Sequence, residues 1–325
     1  MDTSNIYVKQ YDRTASDLYV DKTLTNVSIA YKNNLFIADQ IAPKVPVKQD
    51  TGKIWSYGFE NFALKDLERG DYARSKRSSY SVSSSATYDI INYALSDVVT
   101  QKMRDQADSP MAPETDTTEV LTQVLALNKE YKLASILFNT GTTGFSGYTE
   151  ALSTSASRYR WNDYTNSDPI QDSAYARETK IAVNSGQYAD ISLVIGSEVW
   201  AYLEEHPDIL ERIKYTQAGV LTEELVAKVM KVKNLLVGRA RYNTANEGAT
   251  ASLSPVWGKY AAFYYNPPKA GIKTAATIAT LSGGKWVRRW VEPAYRNSTV
   301  IEVEDAFEHK MLSSKSGYLF STAVT

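Results

Sequence analysis

The sequence predicts an α+β protein on three observations. Between Asp116 and Asn139, Val120, Leu121, Val124, Leu125, Leu127, Tyr131, Ala134, Leu137 and Phe138 recur at helical spacing. Short apolar strands alternate with capped helices from Ile191 to Tyr265, and strand-like runs flank this body at 53–95 and 285–325.

The long helix is bounded in the sequence itself. Asp116 is placed as N-cap with Glu119 three residues on, and Gly141 supplies a left-handed stop. At 1.5 Å per residue it spans about 35 Å, the width of a small domain.

Before it, residues 1 to 50 hold apolar pairs without a clean period. Pro43 and Pro46 then block a regular helix or central strand, so this part reads either as an extended arm with one short helical patch or, equally on pattern, as an N-terminal subdomain packed on its own core. Residues 53 to 59 alternate, with Trp55, Tyr57 and Phe59 on one side, and 78 to 95 form a returning strand. Between them the mixed-charge run KDLERGDYARSKR is too polar to bury, and a hairpin of this length cannot bury both faces on its own domain, so it is expected to reach a neighbouring chain, the alternative being a flap over its own. Arg74, Lys76 and Arg77 lie near Asp66, Glu68 and Asp71 and read as a solvated, charge-paired surface.

After the long helix comes a connection rich in Gly, Ser, Thr and Tyr, 141 to 168, a length that marks a functional or flexible segment. Asp168 and Pro169 open a second helix closed by Gly186. Then follow a buried strand at Ile191–Ile195, helices starting at Ser197, Pro207 and Thr222, a strand at Leu235–Val237, a loop at 243–254 and a strand at 259–266.

Composition narrows the function. The 325 residues carry 36 Lys+Arg against 37 Asp+Glu, a net charge of −1 that does not favour avid binding of polyanions. No cysteine is present, which removes disulfides, thiolate metal sites and cysteine nucleophiles. MDTSNIYVKQYD is neither a basic leader nor an apolar span, so a soluble, unsecreted protein is expected, with no membrane partner. The 23 tyrosines favour strands and broad contact surfaces.

The inventory for catalysis is thin. His206 precedes Pro207 at a helix junction, where capping is the ordinary role, and His309 stands in the strand-rich tail. Glu204/Glu205 and Glu223/Glu224 sit at adjacent helical positions that point apart. No nucleophile elbow, phosphate loop or dinucleotide fingerprint occurs, so neither an enzyme nor a cofactor is expected.

From Trp161 the residues become specific as a series: WNDYTNSDPI (161–170), SLVIGSEVWAYLEEHPDILERIKY (192–215), GVLTEELVA (219–227), NLLVGRARYN (234–243) and VWGKY (256–260). This series resembles major capsid proteins of tailed bacteriophages with the Hong Kong 97 fold. The resemblance implies an N-terminal arm (1–50), an E-loop hairpin (51–95), a peripheral domain with the spine helix (96–142 and 285–325), a connecting loop (143–169) and an axial α/β domain (170–284). It implies self-assembly as hexamers and pentamers into an icosahedral head around double-stranded DNA, located in the virion capsid and assembled in the host cell cytoplasm. A portal and a decoration protein are further partners it brings. The chain lacks the long N-terminal region that serves some members as a built-in scaffold, so a separate scaffolding protein is expected.

Intersubunit contacts are expected at Trp55, Tyr57, Phe59, Lys65, Asp66, Glu68, Arg69 and Asp71. Some relatives join an E-loop lysine to a peripheral-domain asparagine. Lys65 and Asn297 are the pair to nominate here, and no cross-link is expected, because nothing in the sequence marks their convergence. The alternatives are an encapsulin-like compartment, which shares the fold, and a hydrolase or glycan-binding protein.

Overall fold

The computed structural model describes residues 19–20, 36–57, 64, 68–69, 74–75, 77, 82–107, 111–154, 158–214, 221–246, 249–267, 276–293 and 298–325, with backbone alone at 19–20, 55–57 and 82–85. In chain order the elements begin with β1 (Tyr19–Val20), α1 (Ala38–Ile41), β2 (Lys44–Pro46), β3 (Thr51–Tyr57), β4 (Val82–Asp89), β5 (Ile91–Val99), α2 (Gln101–Asp105), α3 (Pro113–Leu137) and β6 (Thr149–Ala151). Helix α4 follows, in three parts: Pro169–Ala174, a π-helical stretch Tyr175–Ala182, and Val183–Ser185. Next come β7 (Ile191–Gly196), α5 (Ser197–Glu204), α6 (Pro207–Ile213), α7 (Glu223–Val229), β8 (Leu235–Gly238), β9 (Arg241–Asn243), β10 (Leu253–Pro255) and β11 (Ala261–Tyr265). The last strands are β12 (Ile278–Glu292), β13 (Ser298–Met311) and β14 (Gly317–Ser321). No helix among the described residues is long and apolar enough to cross a membrane.

Two compact units divide the chain. The first holds 1–33, 92–125 and 284–305, and the second holds 34–91, 126–283 and 306–325, so the border falls within α3.

In the first unit, β12 lies between β1 and β13, and β5 follows β13 at the end of the order. The buried core is small: Val99, Leu121, Leu125, Val287, Ile301 and Val303. Charge pairs supplement it. Arg289 bonds Glu114 at 2.9 Å, and Arg288 lies between Glu302 and Glu304.

The second unit is built on a sheet of order β6-β14-β11-β7-β8. Its interior strands β14, β11 and β7 are buried on both faces, which is why Ile191–Gly196 is apolar but for Ser192. Ile191, Leu193, Ile195, Phe263 and Phe320 face a core shared with α4 to α7, while Val194, Ala262, Tyr264 and Leu319 face one shared with α1 and the end of α3. This alternation is the period-2 pleat.

Several local expectations shift. Helix α3 starts at Pro113, not Asp116; the Asp116 carboxylate instead reaches back to the Ala112 N–H at 3.2 Å, satisfying an orphan donor of the first turn. At its other end Asn139 accepts the Gly141 N–H at 2.6 Å, and Gly141 is not among the left-handed glycines. An Asx turn closes the helix. Gly186 does close α4 as expected, at φ 64°. The returning strand of the hairpin is two strands, because the chain breaks at buried Ile90 between β4 and β5. The connection at 141–168 contains β6 and buries Phe145, Leu152 and Trp161, so most of its length is packed rather than loose. The 243–254 loop is the turn of the β9–β10 hairpin.

Candidate assembly surface and its anchor

Strands β3 and β4 pair only with each other among the described residues, antiparallel from Thr51↔Asp89 to Tyr57↔Val82. Ile54 pairs with Ala86 and Ser56 with Ser83, so the returning strand carries one extra residue within its serine run. Such a bulge sharpens the local twist. The base of the hairpin is rooted. Ile54, Tyr88 and Ile90 are buried, the Tyr88 ring lies over Gly52 where a Cβ would come within 2.6 Å, and the Asp89 N–H donates to Glu308 at 2.7 Å.

Further out, every described residue is exposed: Leu64, Glu68, Arg69, Arg74, Ser75 and Arg77. Leu64 is 103% exposed, an apolar side chain left open to solvent. Of the expected contact residues, Glu68 and Arg69 are thus placed at the surface, and Trp55 and Tyr57 are placed by backbone in β3. Phe59, Lys65, Asp66 and Asp71, with Asn297 and Lys76, lie outside the described residues.

The segment leading into the hairpin is held by a carboxylate that sequence reading passed over. Glu130, fully buried on α3, accepts the N–H groups of Ile37 at 3.0 Å and Ala38 at 2.8 Å, and the Trp257 indole N–H at 2.7 Å. Burial pushes its pKa up, while those three donors pull it back. One residue earlier, Lys129 pairs with Asp39 at 2.7 Å, and Asp39 also pairs with Lys44 at 2.8 Å. Burial raises the Asp39 carboxyl, but the two lysines outweigh it and hold the group below its ordinary value. Glu130 is invisible to pattern reading because it is one more charge on a long helix. Its only signal was a polar residue in register with the buried stripe of Leu133, Ala134 and Leu137.

The stretches that carried the family resemblance meet here. A Cβ on Gly238 would come within 2.1 Å of the Trp257 ring, and one on Gly196 within 1.8 Å of the Gly258 carbonyl oxygen. LLVG, LVIG and VWGKY are therefore the parts of one close crossing, where only glycine leaves room. Trp161, from the first stretch, is likewise buried and donates to Asp172 at 2.9 Å, which also accepts from Arg158 at 2.5 Å.

Both histidines are structural. His206 caps α6 by accepting the Asp208 N–H at Nδ1, so Nε2 carries the proton and donates to Ser167 Oγ at 3.0 Å. His309 Nε2 donates to the Lys129 carbonyl at 3.2 Å, and Nδ1 accepts from Thr280 at 2.9 Å. Burial first, then the Lys129 charge, depress its pKa to about 4. A base whose pKa falls on folding contributes stability that is complete above its unfolded value, about 6.5, and is lost as pH falls through the folded one. Relative to a His309→Gln variant, the wild-type subunit should lose about 3 kcal/mol between pH 6.5 and 4. Denaturant titrations across that range check it, and parallel curves for the two proteins would refute it. Glu130 and Asp172, whose pKa values are raised, slope the other way in both proteins and cancel in the difference.

No cluster of metal-ligating side chains occurs among the described residues. No protein-family profile matches the chain. It is 26% identical over 311 residues to the major capsid protein of Burkholderia phage BcepMu, covering 93% of this chain and 96% of that one. It is also 26% identical over 317 residues to the major capsid protein of Pseudomonas phage JBD67, covering 94% and 97%. Among solved structures, a phage-related protein from Bordetella bronchiseptica RB50 superposes with TM-score 0.74 at 25% identity, covering 94% of this chain and 98% of that one. The mature capsid of bacteriophage PhiM1 gives TM-score 0.52 at 11% identity, covering 90% and 88%. A virus-like particle from Pyrococcus furiosus gives 0.52 at 11%, covering 92% and 96%. The fold is of the Hong Kong 97 capsid type.

Proposed function

We propose that this chain is the major capsid protein of a tailed bacteriophage, associating as hexamers and pentamers into an icosahedral head around double-stranded DNA. The observation that carries the reading is the hairpin, buried at its base and exposed at every described position of its tip, on a chain similar over nearly its whole length to phage major capsid proteins. Residues 51–95 act as the E-loop arm that lies on a neighbouring subunit. Residues 1–50 form the N-terminal arm, 96–142 and 285–325 the peripheral domain, 143–169 the connection and 170–284 the axial domain. The contact set is Trp55, Tyr57, Phe59, Lys65, Asp66, Glu68, Arg69 and Asp71. Aromatics supply the strength and charges the register, since exposed ion pairs contribute about 0 to 1 kcal/mol each.

The role is structural rather than catalytic. A near-neutral subunit contains packaged DNA through non-specific contact without gripping it. Assembly takes place in the host cytoplasm with a separate scaffolding protein and a portal, and a decoration protein can add to the finished head. The likeness to a virus-like particle supports an encapsulin-like shell as second reading, and the DNA content of purified particles separates the two.

Sedimentation and electron microscopy of the expressed chain should show megadalton particles or their capsomers. Boiled denaturing gels of mature particles should show one band near 36.2 kDa. A stable monomer as the sole species, with phage partners present, overturns the shell. A ladder of multimers overturns the expectation that Lys65 and Asn297 stay unlinked.

A further inference from the structure

Two buried acceptors compete for one hydroxyl proton in the second unit. Thr280 on β12, His309 on β13 and Ala42 at the end of α1 are all buried. The Thr280 hydroxyl lies 2.9 Å from His309 Nδ1 and 3.4 Å from the Ala42 carbonyl oxygen, and it has a single hydrogen to give. His309 Nε2 faces the Lys129 carbonyl at 3.2 Å; a carbonyl only accepts, so Nε2 carries the proton of the neutral ring. Nδ1 then offers a bare lone pair and takes the shorter bond. The Ala42 carbonyl, whose one hydrogen-bond donor among the described residues is this hydroxyl, is left with a stretched contact.

The charges around the ring are already engaged. On α3, Lys129 pairs with Asp39 of α1, Asp39 pairs in turn with Lys44, and Glu130 is taken up by α1 and Trp257. On β13 the Phe307 ring lies 5.0 Å from the imidazole, while Glu308 and Lys310 pair with each other at 3.4 Å and alternate to the other face of the strand.

We propose that Thr280 is a proton switch: a proton taken up at His309 Nδ1 turns the Thr280 hydroxyl onto the Ala42 carbonyl, so that the charge of a buried imidazole changes the hold on the root of the hairpin. One proton enters from solvent, no covalent bond changes, and no group in the relay is left unpaired. Nε2–H still donates to Lys129, Nδ1–H donates to Thr280 Oγ, and the hydroxyl hydrogen goes to Ala42. Helix α1 is thereby held at its two ends by groups of opposite acid response. Glu130 accepts best at the N-terminal end as a carboxylate, and Ala42 is bonded best at the other end once His309 is charged.

The sequence makes the test selective. The chain has two histidines and two Ala-Pro bonds, 42–43 and 112–113, so labelling histidine rings, alanine carbonyls and proline nitrogens isolates His309 and Ala42 in NMR spectra of the full chain, with His206 and Ala112 as references. At pH 7 His309 should show the Nε2–H tautomer. Near pH 4 both ring nitrogens should become protonated, and the Ala42 carbonyl carbon should move downfield with the same midpoint. In Thr280→Val the Nδ1–H of the imidazolium has no acceptor. His309 should then need at least about ten-fold more acid, one pH unit, while the Ala42 signal stays in place. Thr280→Ser should restore both behaviours, which a change in packing alone does not do. An Nδ1–H tautomer at neutral pH, an Ala42 signal indifferent to His309, or an unaltered His309 titration in Thr280→Val each overturn the switch. Unfolding of the wild type before His309 takes its proton overturns it as well. Should Thr280→Val not fold, the shared midpoint in the wild type decides.

Discussion

Replacing residues 60–77 with a short Gly-Ser linker should abolish shell formation while leaving far-UV circular dichroism close to wild type. The replaced segment lies beyond the buried root formed by Ile54, Tyr88 and Ile90, and all of its described residues are exposed. The subunit therefore keeps its core. What it loses is the apolar and charged tip, Leu64 included. One intersubunit contact of about 2 kcal/mol changes an association constant roughly 30-fold. A closed shell repeats that contact at every subunit, so the loss of particles is effectively complete. Shells of normal size from the linker variant, or a chain that no longer folds, would each defeat the assignment of the hairpin as an arm.

The second large effect is expected at Glu130. Alanine there leaves three buried donors, on Ile37, Ala38 and Trp257, without an acceptor. Removing one side of such a buried charged network costs about 3 to 5 kcal/mol. Glu130→Gln keeps one carbonyl oxygen and turns an NH2 toward the remaining donors, so it should cost roughly half as much. Unfolding midpoints of the two variants against wild type measure this order. A neutral Glu130→Ala would mean that the root of the hairpin is held by apolar packing of Ile37, Ala38 and Ile41 alone.

Much of the fold was legible because its signals are local. Asp168–Pro169 and Gly186 bracket α4, Thr222 caps α7, and Ile191–Ile195 reads as a buried strand from five consecutive residues. Failures came where tertiary contact decides. The apolar stripe of α3 is wider than the face its chain covers: Val120 and Val124 remain 61% and 47% exposed while Leu121 and Leu125 are buried. Periodicity reports both alike. The break at Ile90 depends on a hydrogen bond from its N–H to the Asp50 carbonyl, which no spacing rule foresees. Glu130 was illegible for the same reason, since its partners lie 92 or more residues away along the chain. The polar tip of the hairpin is a local signal too, and every described residue there is exposed, whereas the break between β4 and β5 was hidden inside what looked like one continuous strand.

The order of strands in the second unit also sets a clock. Strand β14, residues 317–321, is inserted between β6 and β11 and is an interior strand of its sheet. A nascent chain cannot close that sheet until these residues leave the ribosome, although β7, β8 and β11 emerge well before. At about 5 to 20 residues per second, the interval between the end of β11 and the arrival of β14 is several seconds or more. Polysomes crowd identical chains together, so a self-polymerising protein risks joining half-made copies. Placing a late strand inside the sheet withholds the finished subunit until residues 317–321 have been made and released from the ribosome.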